Sequence, residues 1–378
     1  MRSAIVHYWL VTMRGGEKVV EALCRLLPDA DVFTLFYDPA KVSPAIRSHK
    51  VTASFLNPLR GHYRSLLPLF PMALESLDLR GYDLVISSES GPAKGVLTSA
   101  DTRHICYCHS PMRYLWDLYP AYLHDWTHSL WKKAAMAAFG CPLRVWDYAA
   151  AARVDEFAAN SRNVQRRIWK AYRRESQVIY PPVAVETFRW MAPDDSYLIV
   201  SELVAYKRIE DAVRCFTRTG RRLKIVGDGP EYAALKKQAG PNVEFCGRVS
   251  PVDLRILYAR CRALLMPGEE DFGIVAVEAM ASGKPVVALG RGGVLEAVPP
   301  EGAGAAVFYS EPGDAQLEQA VKRFEEVETM VRPAELQAWA KRFSEDRFRE
   351  RMSDLICQTA AVRNAQPFLS TSLERVAG

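Results

Sequence analysis

Two carboxylates stand in a nearly continuous apolar stretch of the second half of the chain. Residues 269–282 read EEDFGIVAVEAMAS, in which seven residues separate Glu270 from Glu278. A strand-like run precedes this stretch, and a helix is predicted from Gly273 to Gly283, since glycine suits a C-terminal cap. Apolar residues surround that helix, which predicts that it is buried. A carboxylate there loses hydration, so Glu278 needs a buried cation or a ligand as its partner.

A nucleotide is a ligand that this arrangement would accept. In open sheets of parallel strands, ligands bind beyond the carboxyl ends of the strands, where a carboxylate can accept both hydroxyls of a ribose. The backbone N–H groups of Gly273 and Ile274 would begin the helix and offer a site for phosphate. An internal ion pair of Glu278 is the competing interpretation, and the residues taken alone favour neither.

Apolar runs of strand length alternate with helical patterns along the whole chain. Such alternation is typical of βαβ units and parallel sheets. It predicts an α/β fold with two doubly wound, Rossmann-like domains. The runs lie at 4–9, 32–37, 83–87, 103–108 and 156–160 in the first half, and at 197–201, 223–227, 243–247, 263–267, 285–289 and 305–309 in the second.

The domain boundaries are predicted from a proline-rich segment near the middle of the chain. In residues 177–196, Tyr180-Pro181-Pro182 favours extended backbone and Pro193-Asp194-Asp195 favours a turn. We therefore predict an N-terminal domain at 1–182 and a C-terminal domain at 183–345. Residues 346–378 are expected to form a helix that returns to the first domain, followed by a frayed tail.

Composition narrows the class of partner and compartment. The chain has 378 residues and a net charge of +5, which favours an anionic ligand, nucleic acid or membrane face. No apolar run approaches the ~20 residues that span a bilayer, and the N-terminal run favours a first strand over a signal peptide. We expect a cytoplasmic protein. Cys106 and Cys108 precede His109, but the sequence has no second Cys/His pair with ligand spacing, which disfavours a metal site.

The two glutamates and three further segments resemble one known family. Glu270 and Glu278 look like the E-x7-E signature of family-four retaining glycosyltransferases, whose GT-B fold has two facing Rossmann-like domains with a cleft between them. In RGGEKVVEAL, Gly15 and Gly16 are similar to the loop that approaches the donor phosphates. CHSPMRYLWD places His109 where the family has a histidine near the donor sugar. RGGVLEAV resembles the glycine-rich loop that follows the E-x7-E helix.

The resemblance implies roles for individual residues. Lys207 and Arg208, in SELVAYKR, would hold the diphosphate, although Glu202 stands where the family usually has an arginine. Glu278 would bind the ribose. The donor sugar would be positioned by His109, Glu270 and the backbone of Phe272 and Gly273, and Gly273 and Ile274 would face the phosphates.

The family implies transfer of a hexose with retention at the anomeric carbon. HSPMRY and AYKR look closest to bacterial mannosyltransferases, so GDP-mannose is the expected donor and a lipid-linked saccharide of surface polysaccharide synthesis the expected acceptor. We expect neither a metal cofactor nor nucleic acid binding. Two alternatives stay open: an enzyme like the UDP-N-acetylglucosamine 2-epimerases, and a sugar-nucleotide binder without catalysis, which Glu202 raises.

An aromatic and basic segment has two interpretations. Residues 118–148 are rich in tryptophan and tyrosine and contain Lys132 and Lys133. Such a segment suits the interface of an anionic membrane, which would make the protein peripheral on the inner face of the cytoplasmic membrane. It equally suits a pair of amphipathic helices that pack on the first domain.

Overall fold

The computed structural model describes residues 1–126, 129–300 and 304–365. It confirms an α/β fold with two parallel sheets of seven and six strands. All eleven strands predicted from the sequence are present, with ends shifted by up to three residues. The strands are β1 (Ser3–His7), β2 (Asp31–Thr34), β3 (Val51–Ala53), β4 (Leu84–Glu89), β5 (Arg103–Cys108), β6 (Glu156–Ala159), β7 (Gln177–Val178), β8 (Ser196–Val200), β9 (Arg222–Val226), β10 (Val243–Gly247), β11 (Leu264–Met266), β12 (Val286–Leu289) and β13 (Ala306–Tyr309).

Both sheets have the strand order of a doubly wound fold. The first runs β3-β2-β1-β4-β5-β6-β7, and the second runs β10-β9-β8-β11-β12-β13. In each sheet, the strand that comes first in the chain pairs with the strand that comes fourth: β1 pairs with β4, and β8 pairs with β11. The chain reverses its direction of winding there, and such switch points are where doubly wound folds bind ligands.

Helices connect the strands, and several begin and end where the sequence predicts. α9 begins after Ser250, whose Oγ accepts a 3.1 Å hydrogen bond from the backbone N–H of Asp253. α10 follows Gly273, whose φ of 95° is in the left-handed region. The helices are α1 (Gly15–Leu26), α2 (Pro44–Arg47), α3 (Phe70–Glu75), α4 (Tyr119–Ala121), α5 (Leu130–Ala152), α6 (Arg162–Tyr172), α7 (Ile209–Thr219), α8 (Tyr232–Gln238), α9 (Pro251–Arg260), α10 (Ile274–Ala281), α11 (Val294–Ala297), α12 (Asp314–Val327), α13 (Pro333–Ala340) and α14 (Glu345–Ala365).

The chain forms two compact units. Among the described residues, unit 1 contains 1–107, 149–158 and 346–365, and unit 2 contains those of 108–148 and 159–345. In unit 2, separate clusters of buried apolar side chains cover the six-stranded sheet. The predicted boundaries after residues 182 and 345 stay a prediction. Among the described residues, no helix has the length and apolar character needed to cross a membrane.

Candidate functional site

The loops after β8 and β11 meet at the switch point of the second sheet. Gly268, just after β11, lies so close to Lys207 that a Cβ atom on the glycine would be 2.6 Å from the Lys207 Cα. Real Cβ atoms do not approach backbone this closely. Only glycine therefore fits at residue 268, and its missing side chain brings Lys207 beside the acidic run Glu269–Asp271.

Lys207 and Glu270 form an ion pair at this point. The Lys207 Nζ donates a short hydrogen bond to Oε2 of Glu270, and the two side chains are 15% and 20% exposed. Burial lowers the pKa of Lys207, but Glu270 and Tyr206 outweigh this effect and raise it above its ordinary value. The ammonium is therefore charged at neutral pH, and the sequence-predicted residues Lys207 and Glu270 are in direct contact.

The glycine-rich segment RGGVLEAV holds the backbone of the acidic run. The N–H of Gly293 donates to the carbonyl oxygen of Glu270 at 2.8 Å. A Cβ on Gly292, whose φ is 78°, would be 2.4 Å from that same carbonyl oxygen. The motif is glycine-rich because its backbone packs directly on the backbone that presents Glu270.

Two arginines that the sequence analysis did not select neutralise the acidic run. Arg167 of α6 donates a short hydrogen bond to Asp271 and a 2.6 Å bond to Oε1 of Glu269. Arg113, which follows β5, has Nη1 3.4 Å from Asp271 and Nη2 4.0 Å from Glu269. The available signal was the acidic run itself, because three consecutive carboxylates beside an apolar helix require cations nearby.

The start of α10 has the predicted geometry. Gly273 is its N-cap in the left-handed conformation, and Ile274 is the first helical residue. Phe272 is buried, with its ring centroid 5.5 Å from that of Tyr180 and 5.4 Å from that of Phe343. Phe272 therefore anchors the loop in the core, and only its backbone is suited to a ligand.

Glu278 is buried one turn further along α10. Only 4% of its surface is exposed, and its Oε2 accepts a 2.8 Å hydrogen bond from the hydroxyl of Tyr258 on α9. Burial, and then the charge of Glu278, raise the pKa of Tyr258. The phenol is therefore protonated and can donate.

His109 lies directly after β5 and is half-buried. Burial lowers its pKa to about 4, although the negative charge of Asp271 acts in the opposite direction. The ring is neutral at pH 7 and can offer one donor and one acceptor nitrogen. His109 thus belongs to unit 2 together with Lys207 and Glu270.

Three further sequence-predicted residues belong to other elements. Arg208 donates from Nε to Oδ2 of Asp211 at 2.8 Å, so its guanidinium is engaged on α7. Gly15 and Gly16 begin α1 in unit 1, and their role in donor binding stays a prediction. Near them, Glu17 accepts hydrogen bonds from the hydroxyl of Thr12 at 2.6 Å and from the N–H of Arg14 at 3.0 Å.

Comparison with known families matches both halves of the chain. Residues 13–187 match the family described as Glycosyltransferase Family 4. Residues 190–342 match the family described as Glycosyl transferases group 1. The second match contains Lys207, Glu270 and Glu278, which are the centre of the site described above.

Individual proteins agree with these matches at low identity. The chain is 30% identical over 174 residues to a GDP-mannose-dependent alpha-mannosyltransferase of Mycobacterium tuberculosis, covering 45% of this chain and 40% of that protein. The chain spans only 19% to 42% of the length of three other curated relatives.

Solved structures share the fold over nearly the whole chain. Sucrose-phosphate synthase from Thermosynechococcus elongatus has a TM-score of 0.71 at 17% identity, with 96% of this chain and 100% of that chain covered. HepE from Anabaena, in complex with UDP and glucose, has a TM-score of 0.69 at 19% identity, with coverages of 94% and 100%. These structures establish the GT-B fold.

Proposed function

Because this chain belongs to the GT-B glycosyltransferases, with a family 4 region followed by a group 1 region, we propose that it transfers a hexose from a nucleotide sugar to a saccharide acceptor. One observation carries the proposal. The ion pair of Lys207 and Glu270 lies at the switch point of the second sheet, at the start of the helix that contains Glu278. The cation and the two carboxylates proposed to bind the sugar and the ribose therefore belong to adjoining segments of one unit.

The proposed chemistry retains the configuration of the anomeric carbon. The bond between that carbon and the β-phosphate oxygen breaks, and a bond to the acceptor hydroxyl oxygen forms on the same face. The hydroxyl proton passes to the departing nucleoside diphosphate. Negative charge develops on the diphosphate as it leaves, and Lys207 and the N–H groups at the start of α10 would stabilise it.

Other groups would hold the donor in position. Glu270 and the neutral ring of His109 would accept and donate hydrogen bonds to the sugar hydroxyls, and Glu278 would accept from the ribose hydroxyls. Protein cations supply the charge that a metal would otherwise provide, so we propose transfer without a metal ion.

GDP-mannose is the proposed donor. The similarity to a GDP-mannose-dependent alpha-mannosyltransferase of Mycobacterium tuberculosis supports this choice. UDP-sugars are the competing donors, since the Anabaena neighbour holds UDP and glucose. The proposed acceptor is a lipid-linked saccharide of surface polysaccharide synthesis.

We further propose that the protein works in the cytoplasm as a peripheral protein on an anionic membrane. On α5, Leu130 and Trp131 are 80% and 87% exposed, and Val145 is 65% exposed. Exposed apolar side chains at this density are unusual for a solvated helix and suit a lipid interface. Trp126 and Lys132 also suggested this interpretation, but their side chains are not among those that the structure describes.

Thermal unfolding in the presence of nucleotide sugars tests the proposed function. GDP-mannose, UDP-glucose and UDP-N-acetylglucosamine are added to the wild type, to Glu278→Ala and to the control Glu335→Ala, whose glutamate is exposed on α13. One donor should raise the Tm of the wild type and the control by several degrees, because ligand binding stabilises the folded state. Glu278→Ala should show little of this rise.

Turnover is then measured with the stabilising donor as release of the nucleoside diphosphate in the presence of lipid-linked saccharides. Conversion of the donor sugar into an isomer, with no transfer, would favour the epimerase alternative. Equal Tm shifts in the wild type and Glu278→Ala would contradict the role of Glu278.

A further inference from the structure

If the proposed function is correct, the diphosphate of the donor needs more positive charge than Lys207 alone supplies. A departing nucleoside diphosphate requires several cationic donors, and Glu202 stands where the family resemblance leads us to expect an arginine. Lys207 supplies one cation. Arg208 is bound to Asp211, a buried carboxylate that also accepts a 2.6 Å hydrogen bond from Arg214.

Arg113 is a second cation near the ring of Tyr206, the residue before Lys207. Its guanidinium carbon lies 5.5 Å from the centroid of the Tyr206 ring, and the Lys207 Nζ lies 5.2 Å from the same centroid. Both cations therefore contact one aromatic ring in the loop after β8. The Arg113 side chain is 14% exposed, so a charge–charge contact to a ligand here would be screened less than one at the surface.

The position of Arg113 is fixed by its neighbours in sequence. Met112 and Leu115 are buried on either side of it, and the N–H of Leu115 donates to the carbonyl oxygen of Met112 at 2.8 Å. The Arg113 Nε donates to Oδ2 of Asp117 at 3.2 Å. This contact holds Nε of the guanidinium in place, while the two terminal nitrogens, Nη1 and Nη2, face the acidic run.

The terminal nitrogens of Arg113 are the weaker partners of that acidic run. They lie 3.4 and 4.0 Å from Asp271 and Glu269, whereas Arg167 contacts both carboxylates more closely. If Arg113 turns its terminal nitrogens to a phosphate, Asp271 and Glu269 keep a charged partner. These two carboxylates are 29% and 38% exposed, and the cost of leaving a partly buried carboxylate unpaired is thereby avoided.

We propose that Arg113 replaces the arginine that is absent at position 202 and binds the diphosphate of the donor together with Lys207. The second cation would then be contributed by the segment after β5 instead of the loop after β8. Arginine suits this role because its planar guanidinium can form two parallel hydrogen bonds to phosphate oxygens.

Calorimetric titration with a nucleoside diphosphate and with the corresponding unphosphorylated nucleoside tests the proposal. Arg113→Gln should weaken binding of the diphosphate roughly 10- to 100-fold, the loss expected for a charged hydrogen bond, and should change nucleoside binding less than about threefold. Arg222→Gln is the matched control, since Arg222 is 61% exposed and paired with Asp195 on the surface, and should bind both ligands like the wild type.

Moving the positive charge from residue 113 to residue 202 distinguishes a phosphate contact of Arg113 from a purely structural role of that residue. Adding Glu202→Arg to Arg113→Gln should restore most of the diphosphate affinity. If Arg113→Gln does not fold, Arg113→Lys is used instead, and it should lose diphosphate affinity by a smaller factor that Glu202→Arg again restores. If Arg113→Gln weakens only diphosphate binding and Glu202→Arg does not restore it, the proposal that Arg113 replaces an arginine at position 202 is contradicted.

The outcomes also distinguish this inference from the proposed function. A wild type that binds none of GDP, UDP and ADP contradicts the proposed function itself. If Arg113→Gln binds one of these diphosphates as tightly as the wild type, only the role of Arg113 is contradicted. Equal loss of diphosphate and nucleoside binding assigns Arg113 to the structure of the loop and overturns the proposal as well.

Discussion

Tyr258 donates a 2.8 Å hydrogen bond to Oε2 of Glu278, and both side chains are buried. The bond joins α9 to α10 and gives the carboxylate a neutral donor. A carboxylate accepts hydrogen bonds at two oxygens, each with more than one acceptor position. This arrangement is the one that a ribose diol requires, because both ribose hydroxyls are donors.

The first prediction concerns this hydrogen bond. Tyr258→Phe should lower the free energy of unfolding by about 1–3 kcal/mol, because a buried carboxylate loses a donor. It should also weaken nucleotide binding, since Tyr258 helps to orient Glu278. Urea unfolding and calorimetric titration measure the two effects.

Tyr197→Phe is the control for the loss of a tyrosine hydroxyl. Its hydroxyl donates to Glu325 at 3.1 Å, and that carboxylate is also bound by Arg221. We expect Tyr197→Phe to leave nucleotide binding unchanged. Nucleotide binding that is unaffected by Tyr258→Phe would separate Glu278 from the ligand.

The second prediction concerns the contact between the loops after β8 and β11. Gly268→Ala places a methyl group against the backbone of Lys207, with the Cα at 2.6 Å and the carbonyl oxygen at 2.7 Å. The loops must separate, which should lower the free energy of unfolding by about 1–3 kcal/mol. Binding of a nucleoside diphosphate should weaken because Lys207 moves with the loop.

Gly61→Ala provides the comparison, since no heavy atom lies within 4 Å of a Cβ built at that position. Its unfolding and its nucleotide binding should match those of the wild type. Should Gly268→Ala bind the diphosphate as tightly as Gly61→Ala, the position of Lys207 at this contact would not matter for binding.

Local sequence patterns predicted the sheets because each core strand is an apolar run between turn residues. β3 and β7 were not predicted, since strands of three and two residues contain too few positions for a pattern. Contacts between side chains of the site could be predicted only for residues that belong to a family motif. Lys207 and Glu270 belong to such motifs, and the structure brings them into contact.

Arg167 illustrates what the sequence does not encode locally. Its contact with Asp271 joins positions 104 residues apart, and α6 carries two other arginines, Arg162 and Arg166. Which arginine faces the acidic run is decided by how α6 packs. Ile168 is buried beside Arg167, whereas Arg166 and Lys170 are exposed.

The third prediction concerns the protonation of His109. Burial lowers its folded-state pKa to about 4, below the ordinary value near 6.5. Between these two values the unfolded chain binds a proton that the folded chain does not, so stability decreases as pH falls from 6.5 to 4. Between pH 7 and pH 5, the wild type should lose about 1–2 kcal/mol more unfolding free energy than His109→Gln.

Urea unfolding of both proteins at the two pH values measures this difference. A second histidine, His104, also has a pKa lowered, to about 3, chiefly by burial, and is present in both proteins. Its contribution therefore cancels in the comparison. Equal losses in the wild type and His109→Gln would mean that His109 is protonated equally easily in both states.

The last prediction concerns the exposed apolar side of α5. The wild type should sediment with vesicles that contain phosphatidylglycerol, and Leu130→Ser combined with Trp131→Ser should reduce the bound fraction at least about tenfold, since two large side chains no longer enter the lipid interface. Binding should weaken with added salt and with vesicles of phosphatidylcholine alone, because the attraction of cationic side chains to anionic lipid is screened or removed.

Val252→Ser combined with Ile256→Ser is the matched control, because these side chains are 57% and 46% exposed on α9. This variant should bind vesicles like the wild type if α5 is the specific contact. Light scattering of the wild type without lipid tests the competing occupant, a second copy of the chain. If the wild type is a dimer, the Leu130 and Trp131 variant is a monomer, and both bind vesicles equally, this surface is a self-association surface and not a membrane contact.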